Sequence, residues 1–174
     1  MAVHDLAMLA AAIGIGYLFG SIPFAILVER WKKLDVRRFG SGNLGAANAF
    51  VVGGKLAGLI VLFGDIIKGI GAVALVAAAT GGSQLAMGGA AVGAVVGHDW
   101  SLYLRLRGGK GTATTVGVLL ALDWRVLALL VVTYFVLLGT SRYTVVSSLL
   151  TITASARRSV SPTARRPLLL RGAA

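Results

Sequence analysis

Residues 6–28 read LAMLAAAIGIGYLFGSIPFAILV and contain no charged side chain. About 20 consecutive apolar residues are enough for a helix to cross a bilayer. Residues 69–97 are also uncharged, and this run is long enough to hold the end of one helix and most of another. In the whole chain of 174 residues, 57% are hydrophobic and only 13% are charged, which is unlike an average soluble domain. The sequence therefore predicts an integral membrane protein.

The basic residues are concentrated in alternate connections between the apolar runs. Residues 29–55 hold six of the 17 Lys and Arg, residues 98–111 hold Arg105, Arg107 and Lys110, and six more follow the last long apolar run. This asymmetry follows the positive-inside rule. We therefore expect the amino terminus outside and both basic connections in the cytoplasm. The basic residues that give the formal charge of +11 are thus expected to lie at the cytoplasmic surface of the membrane. Nucleic acid is therefore not an expected partner.

The apolar runs predict an all-α, polytopic fold of five to six transmembrane or half-membrane helices. Residues 1–154 are expected to form a single helical membrane domain. Residues 155–174, which are rich in Arg, Ser and Pro, are expected to form a disordered basic tail that contacts anionic lipid. Glycines spaced four apart, at 16 and 20 and at 89, 93 and 97, predict faces where helices pack closely. The predicted helices are residues 6–28, 55–79, 84–97, 112–122 and 124–140, of which 112–122 is too short to cross alone.

Two glycine-rich loops interrupt the apolar sequence. The first, residues 39–50 (FGSGNLGAANAF), permits left-handed backbone at its glycines, which can turn amide groups toward an anion. Its short polar side chains add hydrogen-bonding groups. The other interpretation is a flexible connection between two helices. The second loop, residues 107–115 (RGGKGTATT), repeats this composition and adds a lysine, which favours an anion site. The candidate residues of the first loop are Gly40, Ser41, Gly42, Asn43, Gly45 and Asn48.

Three ionisable residues lie in or beside predicted helices. Asp65 and Lys68 are three positions apart in an apolar helix, where a charge costs about 2.5–3.5 kcal/mol and normally has a partner. They could satisfy each other as a structural ion pair, or Lys68 could direct its ammonium group toward an anionic ligand. His98 precedes the second loop and is either a packed interfacial residue or a catalytic one. The chain has no Cys and only two His, so neither a metal site nor a cofactor is expected.

In order and in neighbouring residues, these motifs resemble the bacterial acyl-phosphate:glycerol-3-phosphate acyltransferases, the PlsY family. The resemblance covers roughly the first 150 positions, and the combination is far more specific than any one motif. A weaker match is SRY at residues 141–143 with Ser148. The stronger matches are GSIPFAIL (residues 20–27), GSGNLGAAN (40–48), GDIIKG (64–69), GHDW (97–100) and RGGKGTAT (107–114).

The resemblance implies a multi-pass protein of the bacterial plasma (inner) membrane with its active site at the cytoplasmic face. The implied reaction moves a fatty acyl group from acyl phosphate to sn-glycerol 3-phosphate and gives lysophosphatidic acid, with membrane lipid as the surrounding partner. By position, the catalytic candidates are Ser41, His98 and Lys110. The substrate-binding candidates are Gly40, Gly42, Asn43, Gly45, Asn48, Lys68, Arg107, Gly108, Gly109, Gly111, Thr112 and Ser148.

The chain departs from the family pattern at several positions, including Ala47 in place of a threonine and Val145 in place of a serine, and two further departures bear on activity. Val51 stands where the family's first loop has an arginine, and residues 155–174 stand where the family continues into a further membrane segment and an Asn- and Glu-bearing motif. From these departures we expect a weak or inactive acyltransferase. Two other functions stay open: a small transporter or channel whose polar path is lined by Asp65 and Lys68, and a catalytically inactive homologue that binds lipid or a partner.

Overall fold

The computed structural model describes residues 3–141, and every regular element in that part of the chain is helical. The predictions for Ser148, for the SRY match beyond Ser141 and for the tail at 155–174 lie outside the described residues. A short 3-10 helix, Leu102–Leu104, precedes the last α-helix. The α-helices are α1 (Val3–Gly20), α2 (Phe24–Lys32), α3 (Ala46–Ala79), α4 (Gln84–Asp99) and α5 (Thr112–Ser141).

The first apolar run does not form one continuous helix. α1 ends at Gly20 and α2 begins at Phe24, because Pro23 between them has no amide hydrogen to continue the ladder. The prediction of a single helix over residues 6–28 is therefore wrong. The hydroxyl oxygen of Ser21, in the break, accepts a hydrogen bond from the amide of Leu102 at 3.2 Å.

α3 begins nine residues earlier than predicted, at Ala46 instead of Lys55. Its first part, residues 46–53, was expected to belong partly to the glycine-rich loop. Gly54 has a φ of 83° inside this helix and separates that part from the long membrane segment. Glycine adopts this conformation without the steric penalty of a Cβ. The helix predicted over residues 55–79 is thus confirmed, with a short helical segment added before it.

The predicted division of the last apolar region at Asp123 is confirmed. α5 is interrupted there by an extended residue, with φ −163° and ψ 105°. A carboxylate oxygen of Asp123 accepts a hydrogen bond from the amide of Arg125 at 2.8 Å. An aspartate that accepts from an amide two residues later starts a helix in the usual way. α5 therefore consists of two helical segments, residues 112–122 and 124–141.

α1 and α4 pack with their backbones almost in contact. A Cβ added at Gly16 or Gly20 would overlap the backbone of Ala90 or Ala94, respectively. From the other helix, a Cβ at Gly93 would overlap the carbonyl of Ile13. The predicted small-residue packing faces are therefore confirmed. This close approach fixes the position of the carboxyl end of α4 against the break between α1 and α2.

Three stretches of the described chain are long and apolar enough to cross a membrane: Val3–Lys32, Ala46–Ala79 and Thr112–Phe135. α4 has 16 residues and lies between the second and third of these in sequence. Both basic connections meet at one end of the helices, where Arg37 lies near Arg105 and Arg107. The turn at residues 80–83 joins α3 to α4. Which face of the membrane each end occupies stays a prediction.

Candidate active site

Asp65, Lys68 and His98 form a buried polar cluster between α3 and α4. The ammonium nitrogen of Lys68 lies 2.8 Å from a carboxylate oxygen of Asp65, and Nδ1 of His98 lies 3.5 Å from the same oxygen. All three side chains are at most 6% exposed. Charges buried this deeply are retained only with partners, so Asp65 is the group that allows the lysine to be buried.

Lys68 also reaches the break between α1 and α2. Its Nζ donates a hydrogen bond to the carbonyl of Ile22 at 2.9 Å. That carbonyl lies next to Pro23, outside the regular ladder of either helix. A lysine has three N–H donors, and the described part of the chain provides acceptors for two of them, from Asp65 and Ile22. One donor is thus available to an anionic group entering the cluster.

The second glycine-rich loop folds directly over His98. The amides of Gly108 and Gly109 donate to the carbonyls of Asp99 and His98, each at 3.0 Å. A Cβ at Gly108 would overlap the His98 carbonyl, and a Cβ at Gly109 would overlap Nε2 of the imidazole. These two positions must therefore be glycine for the loop to lie this close. The missing side chain at Gly109 leaves Nε2 facing the loop.

The cleft beside this cluster is small. Its lining includes the segment from Gly20 to Ala25, the charged cluster, and the two glycines of the second loop. Its volume is about 10 Å³, which is room for about one water molecule. In this conformation the cleft has no room beside Lys68 and His98 for a ligand larger than about one water.

The first glycine-rich loop is organised by Asn48, which is buried in the first turn of α3. Its Nδ2 donates to the carbonyl of Val36 at 2.6 Å, and its Oδ1 accepts from the amide of Ser41 at 2.8 Å. Both ends of the amide are therefore used within the protein. Asn48 therefore holds Val36 and the first glycine-rich loop against α3. Direct contact between Asn48 and a substrate stays a prediction.

The amides of residues 41–43 do not form an open anion nest. Ser41 donates to Asn48, Gly42 donates to the carbonyl of Phe39 at 3.2 Å, and Asn43 donates to the hydroxyl oxygen of Ser41 at 3.4 Å. In the structure these three amides thus donate within the protein, and the interpretation of this loop as an anion site stays a prediction. The side chain of Ser41 is exposed.

The glycines of the first loop behave differently from one another. Gly40 and Gly42 have φ values of 63° and 68°, so the predicted left-handed backbone is confirmed there. Gly45 has a φ of −115° and is extended, so that prediction is wrong for this position. Gly45 is the residue before α3, and extended backbone is the usual conformation for a residue that precedes a helix. A Cβ at Gly45 would lie 3.0 Å from Nδ2 of Asn43.

The remaining residues of the second loop lie away from the cleft. Lys110 is exposed and is not part of the cleft lining. Gly111 has a φ of 65°, and Thr112 begins α5 with its hydroxyl 3.4 Å from the carbonyl of Lys110. Arg107 lines a separate depression with Arg37 and Arg105. The structure thus brings His98, Lys68, Gly108 and Gly109 together and leaves Lys110 at the surface.

Asp65 and the break between α1 and α2 were absent from the predicted site residues. The available signal for Asp65 was a carboxylate in a largely apolar helix, but its spacing from Lys68 also fitted a simple structural ion pair. The contribution of Ser21 and Ile22 could not be read from sequence, because a carbonyl group is present at every residue. Within residues 3–141, no group of three His, Asp or Glu side chains is placed to hold a metal ion.

The chain is similar to known proteins in sequence and in fold. The family described as glycerol-3-phosphate acyltransferase matches residues 10–162. A glycerol-3-phosphate acyltransferase of Thermus thermophilus is 50% identical over 109 residues, covering 63% of this chain and 54% of that protein. One of Rhodopseudomonas palustris is 43% identical over 140 residues, covering 80% of this chain and 70% of that protein. The matched part of the chain thus spans about half to 70% of the length of these two relatives.

A solved structure shares the fold. It is a crystal structure of PlsY, an integral membrane glycerol 3-phosphate acyltransferase, in its glycerol 3-phosphate form. The TM-score is 0.69 and the sequence identity is 29%, over 92% of this chain and 79% of that chain. The lysophosphatidic acid form of the same enzyme is similar, with a TM-score of 0.68. The predicted all-α integral membrane fold is therefore confirmed.

Proposed function

Because the chain belongs to the glycerol-3-phosphate acyltransferase family, we propose that it transfers a fatty acyl group from acyl phosphate to the 1-hydroxyl of sn-glycerol 3-phosphate. The products are lysophosphatidic acid and inorganic phosphate. The observation that carries this proposal is the buried cluster of Asp65, Lys68 and His98 beneath a glycine loop. Both substrates are anions, and the cluster provides a cation and a proton acceptor at one place.

In the proposed reaction, the hydroxyl oxygen of glycerol 3-phosphate attacks the acyl carbonyl carbon. The bond between that carbon and the phosphate oxygen breaks, and phosphate leaves. The hydroxyl proton passes either to Nε2 of His98 or to an oxygen of the departing phosphate. Asp65 faces Nδ1 of the imidazole, which leaves Nε2 as the nitrogen that accepts a proton.

Two lysines supply positive charge in this proposal. The third donor of Lys68 binds a phosphate oxygen, and burial strengthens this contact because little water competes for it. Lys110 approaches the phosphate of the acyl phosphate when the second glycine-rich loop moves to admit substrate. There it stabilises the negative charge that develops on this phosphate as it departs. The loop around Ser41, held in place by Asn48, orients the acyl phosphate.

The proposed location is the plasma (inner) membrane of a bacterium, with the cluster opening toward the cytoplasm. The basic connections support this orientation through the positive-inside rule.

The transporter alternative is less well supported, because Asp65 and Lys68 are only 3% exposed and the cleft beside them is no larger than about one water. The prediction of weak activity, which rests partly on Val51, stays a prediction. Val51 itself is 77% exposed on the first part of α3.

The test is phosphate release by the purified protein in detergent, with acyl phosphate and glycerol 3-phosphate as substrates. We expect turnover with acyl phosphate and little or none with acyl-coenzyme A. This expectation also rests on the absence of a His-x4-Asp acyltransferase signature, because Tyr103 stands five residues after His98. Lys110→Ala should lower the rate by about 10²–10³-fold, the usual cost of removing a group that stabilises developing charge.

The matched control is Lys55→Ala, which removes an exposed lysine of α3 and should leave the rate unchanged within about two-fold. Efficient turnover with acyl-coenzyme A would exclude the proposed donor. A Lys110→Ala variant as active as Lys55→Ala would exclude the role given to Lys110.

A further inference from the structure

A second cationic depression lies beside the candidate active site. It is lined by Arg37, Tyr103, Leu104, Arg105 and Arg107, and its volume is about 400 Å³. Ligand pockets are usually about 300–1,000 Å³, so this depression can hold a phosphate headgroup, unlike the cleft at Lys68. The two share only the wall formed by Leu104. Arg107, a substrate-binding candidate from the sequence, lines this depression and not the cleft at Lys68.

The depression carries an excess of positive charge. Arg37 lies 3.6 Å from Glu29 and 3.8 Å from Asp35, so acidic groups partly neutralise it. Arg105 and Arg107 form no ion pair with any of residues 3–141, and both side chains are exposed. Guanidinium groups bind phosphate oxygens in bidentate fashion. The depression thus offers at least two uncompensated guanidinium groups to an anion.

The backbone that presents these arginines is strained. Arg105 and Leu106 have φ values of 53° and 63°, a conformation that costs a non-glycine residue about 1–3 kcal/mol. The turn is held by the amide of Leu106, which donates to the carbonyl of Ser101 at 2.9 Å. Ser101 in turn donates its hydroxyl to the carbonyl of Ser21 at 2.6 Å. The fold therefore stabilises a turn that places Arg105 and Arg107 on the same depression as Arg37.

Large apolar side chains surround the arginines and remain exposed. Leu102, Tyr103, Leu106 and Phe39 are each between 51% and 58% exposed. Phe39 precedes α3 and the other three follow α4, so all four lie beside the ends of apolar helices. Arginine and tyrosine beside exposed apolar side chains are typical of the level of lipid headgroups. The occupant of the depression is thus expected to have its phosphate at the membrane surface and its chains in the bilayer.

We propose that Arg37, Arg105 and Arg107 form a binding site for the phosphomonoester headgroup of a membrane lipid. A phosphomonoester carries close to two negative charges and three terminal oxygens at neutral pH, and this suits several guanidinium groups better than the single charge of a phosphodiester. This site shares only Leu104 with the cleft at Lys68, so a lipid headgroup can bind there without entering the candidate active site.

The test uses native mass spectrometry of the whole protein in a neutral detergent, with phosphatidic acid, phosphatidylglycerol or phosphatidylcholine of identical chains added. We expect phosphatidic acid to bind most tightly and phosphatidylcholine least. The double variant Arg105→Gln, Arg107→Gln should weaken phosphatidic acid binding by about 30-fold, from the usual contribution of two basic residues to an anionic lipid.

The matched control is the double variant Lys32→Gln, Lys33→Gln. It also removes two basic residues, and Lys33 has the same left-handed backbone as Arg105, with φ 54°. The control should retain phosphatidic acid binding within about three-fold, because these lysines do not line the depression. Equal losses in both double variants, or equal affinity for phosphatidylglycerol and phosphatidic acid, would overturn the proposal. Displacement of the lipid by equimolar inorganic phosphate would also overturn it, since the site would then bind soluble phosphate.

Discussion

At the scale of single residues, Asp65 decides the state of the buried cluster. One of its oxygens lies within ion-pair distance of both Lys68 and His98, and neither of those side chains has another carboxylate within 4.0 Å among residues 3–141. Removing one partner of a buried pair leaves the other charge uncompensated, which costs about 3–5 kcal/mol. Asp65 is therefore important for stability and for the positions of Lys68 and His98.

We predict that Asp65→Asn lowers the free energy of unfolding by about 3–5 kcal/mol and also abolishes phosphate release. Stability is measured by denaturant unfolding in detergent. The control is Asp35→Asn, which breaks a partly exposed ion pair with Arg38 at 3.0 Å. Exposed pairs contribute about 0–1 kcal/mol, so this variant should remain close to the parent.

A second variant, Asp65→Val with Lys68→Met, separates stability from function. Replacing both charges with apolar side chains should recover most of the lost stability, because no uncompensated charge remains. Activity should stay absent, since the ammonium group proposed to bind phosphate is gone. If this double variant regained activity along with stability, the pair would be purely structural and the role proposed for Lys68 would be wrong.

At the scale of elements, the contact between α1 and α4 positions His98. Gly93 and Gly97 of α4 lie against the backbone of residues 13–21 of α1 and the following break, and His98 is the next residue of the same helix. Backbone atoms cannot rotate away as side chains do, so added volume here must push the helices apart. A shift of α4 along or away from α1 would move the imidazole relative to Asp65.

We predict that Gly93→Ala destabilises the protein by about 1–3 kcal/mol, the usual cost of overpacking, and lowers phosphate release. Its Cβ would overlap the carbonyl of Ile13 and lie 2.9 Å from the amide nitrogen of Tyr17. The control is Gly88→Ala on the same helix, where a Cβ would meet nothing within 4 Å. Gly88→Ala should be neutral or stabilising, because alanine favours helix by about 1 kcal/mol over glycine. Similar unfolding midpoints for the two variants would contradict the proposed close packing.

At the scale of the whole molecule, the two basic connections lie at one end and the turn at residues 80–83 lies between α3 and α4. Gly81 and Gly82 of that turn have φ values of 61° and 83°, which reverse the chain. If α3 crosses the bilayer once, this turn and the glycine-rich loop before α3 face opposite sides. The positive-inside rule predicts that the loop lies in the cytoplasm.

We predict that single cysteines at Ser41 and Gln84 react with a membrane-impermeant thiol reagent from opposite sides. The chain has no native cysteine, so the parent protein is the unlabelled control. Gln84 is preferred to Ser83, because Ser83 caps α4 by accepting a hydrogen bond from the amide of Ala86, whereas Gln84 is exposed. In intact cells we expect labelling at Gln84→Cys only. Labelling of both cysteines in intact cells would contradict the predicted topology.

The amino-acid sequence by itself determined the membrane class, the approximate helices and the grouping of the basic residues. Hydropathy and charge are local properties, and a bilayer acts on them segment by segment. Glycine spacing likewise predicted the packing faces of α1 and α4. The family resemblance also came from local motifs, and the match over residues 10–162 confirmed it.

The tertiary structure alone decided which side chains meet. The carbonyl of Ile22 is bound by Lys68 from a helix 46 residues later, and Arg37 shares a depression with Arg105 and Arg107. The tertiary structure also decided that Asn48 forms hydrogen bonds that hold the first glycine-rich loop, and that Lys110 lies at the surface. The physical reason is that such contacts depend on the rotation and separation of packed helices and on the exposed carbonyls at a helix break, and no local pattern of residue types records them.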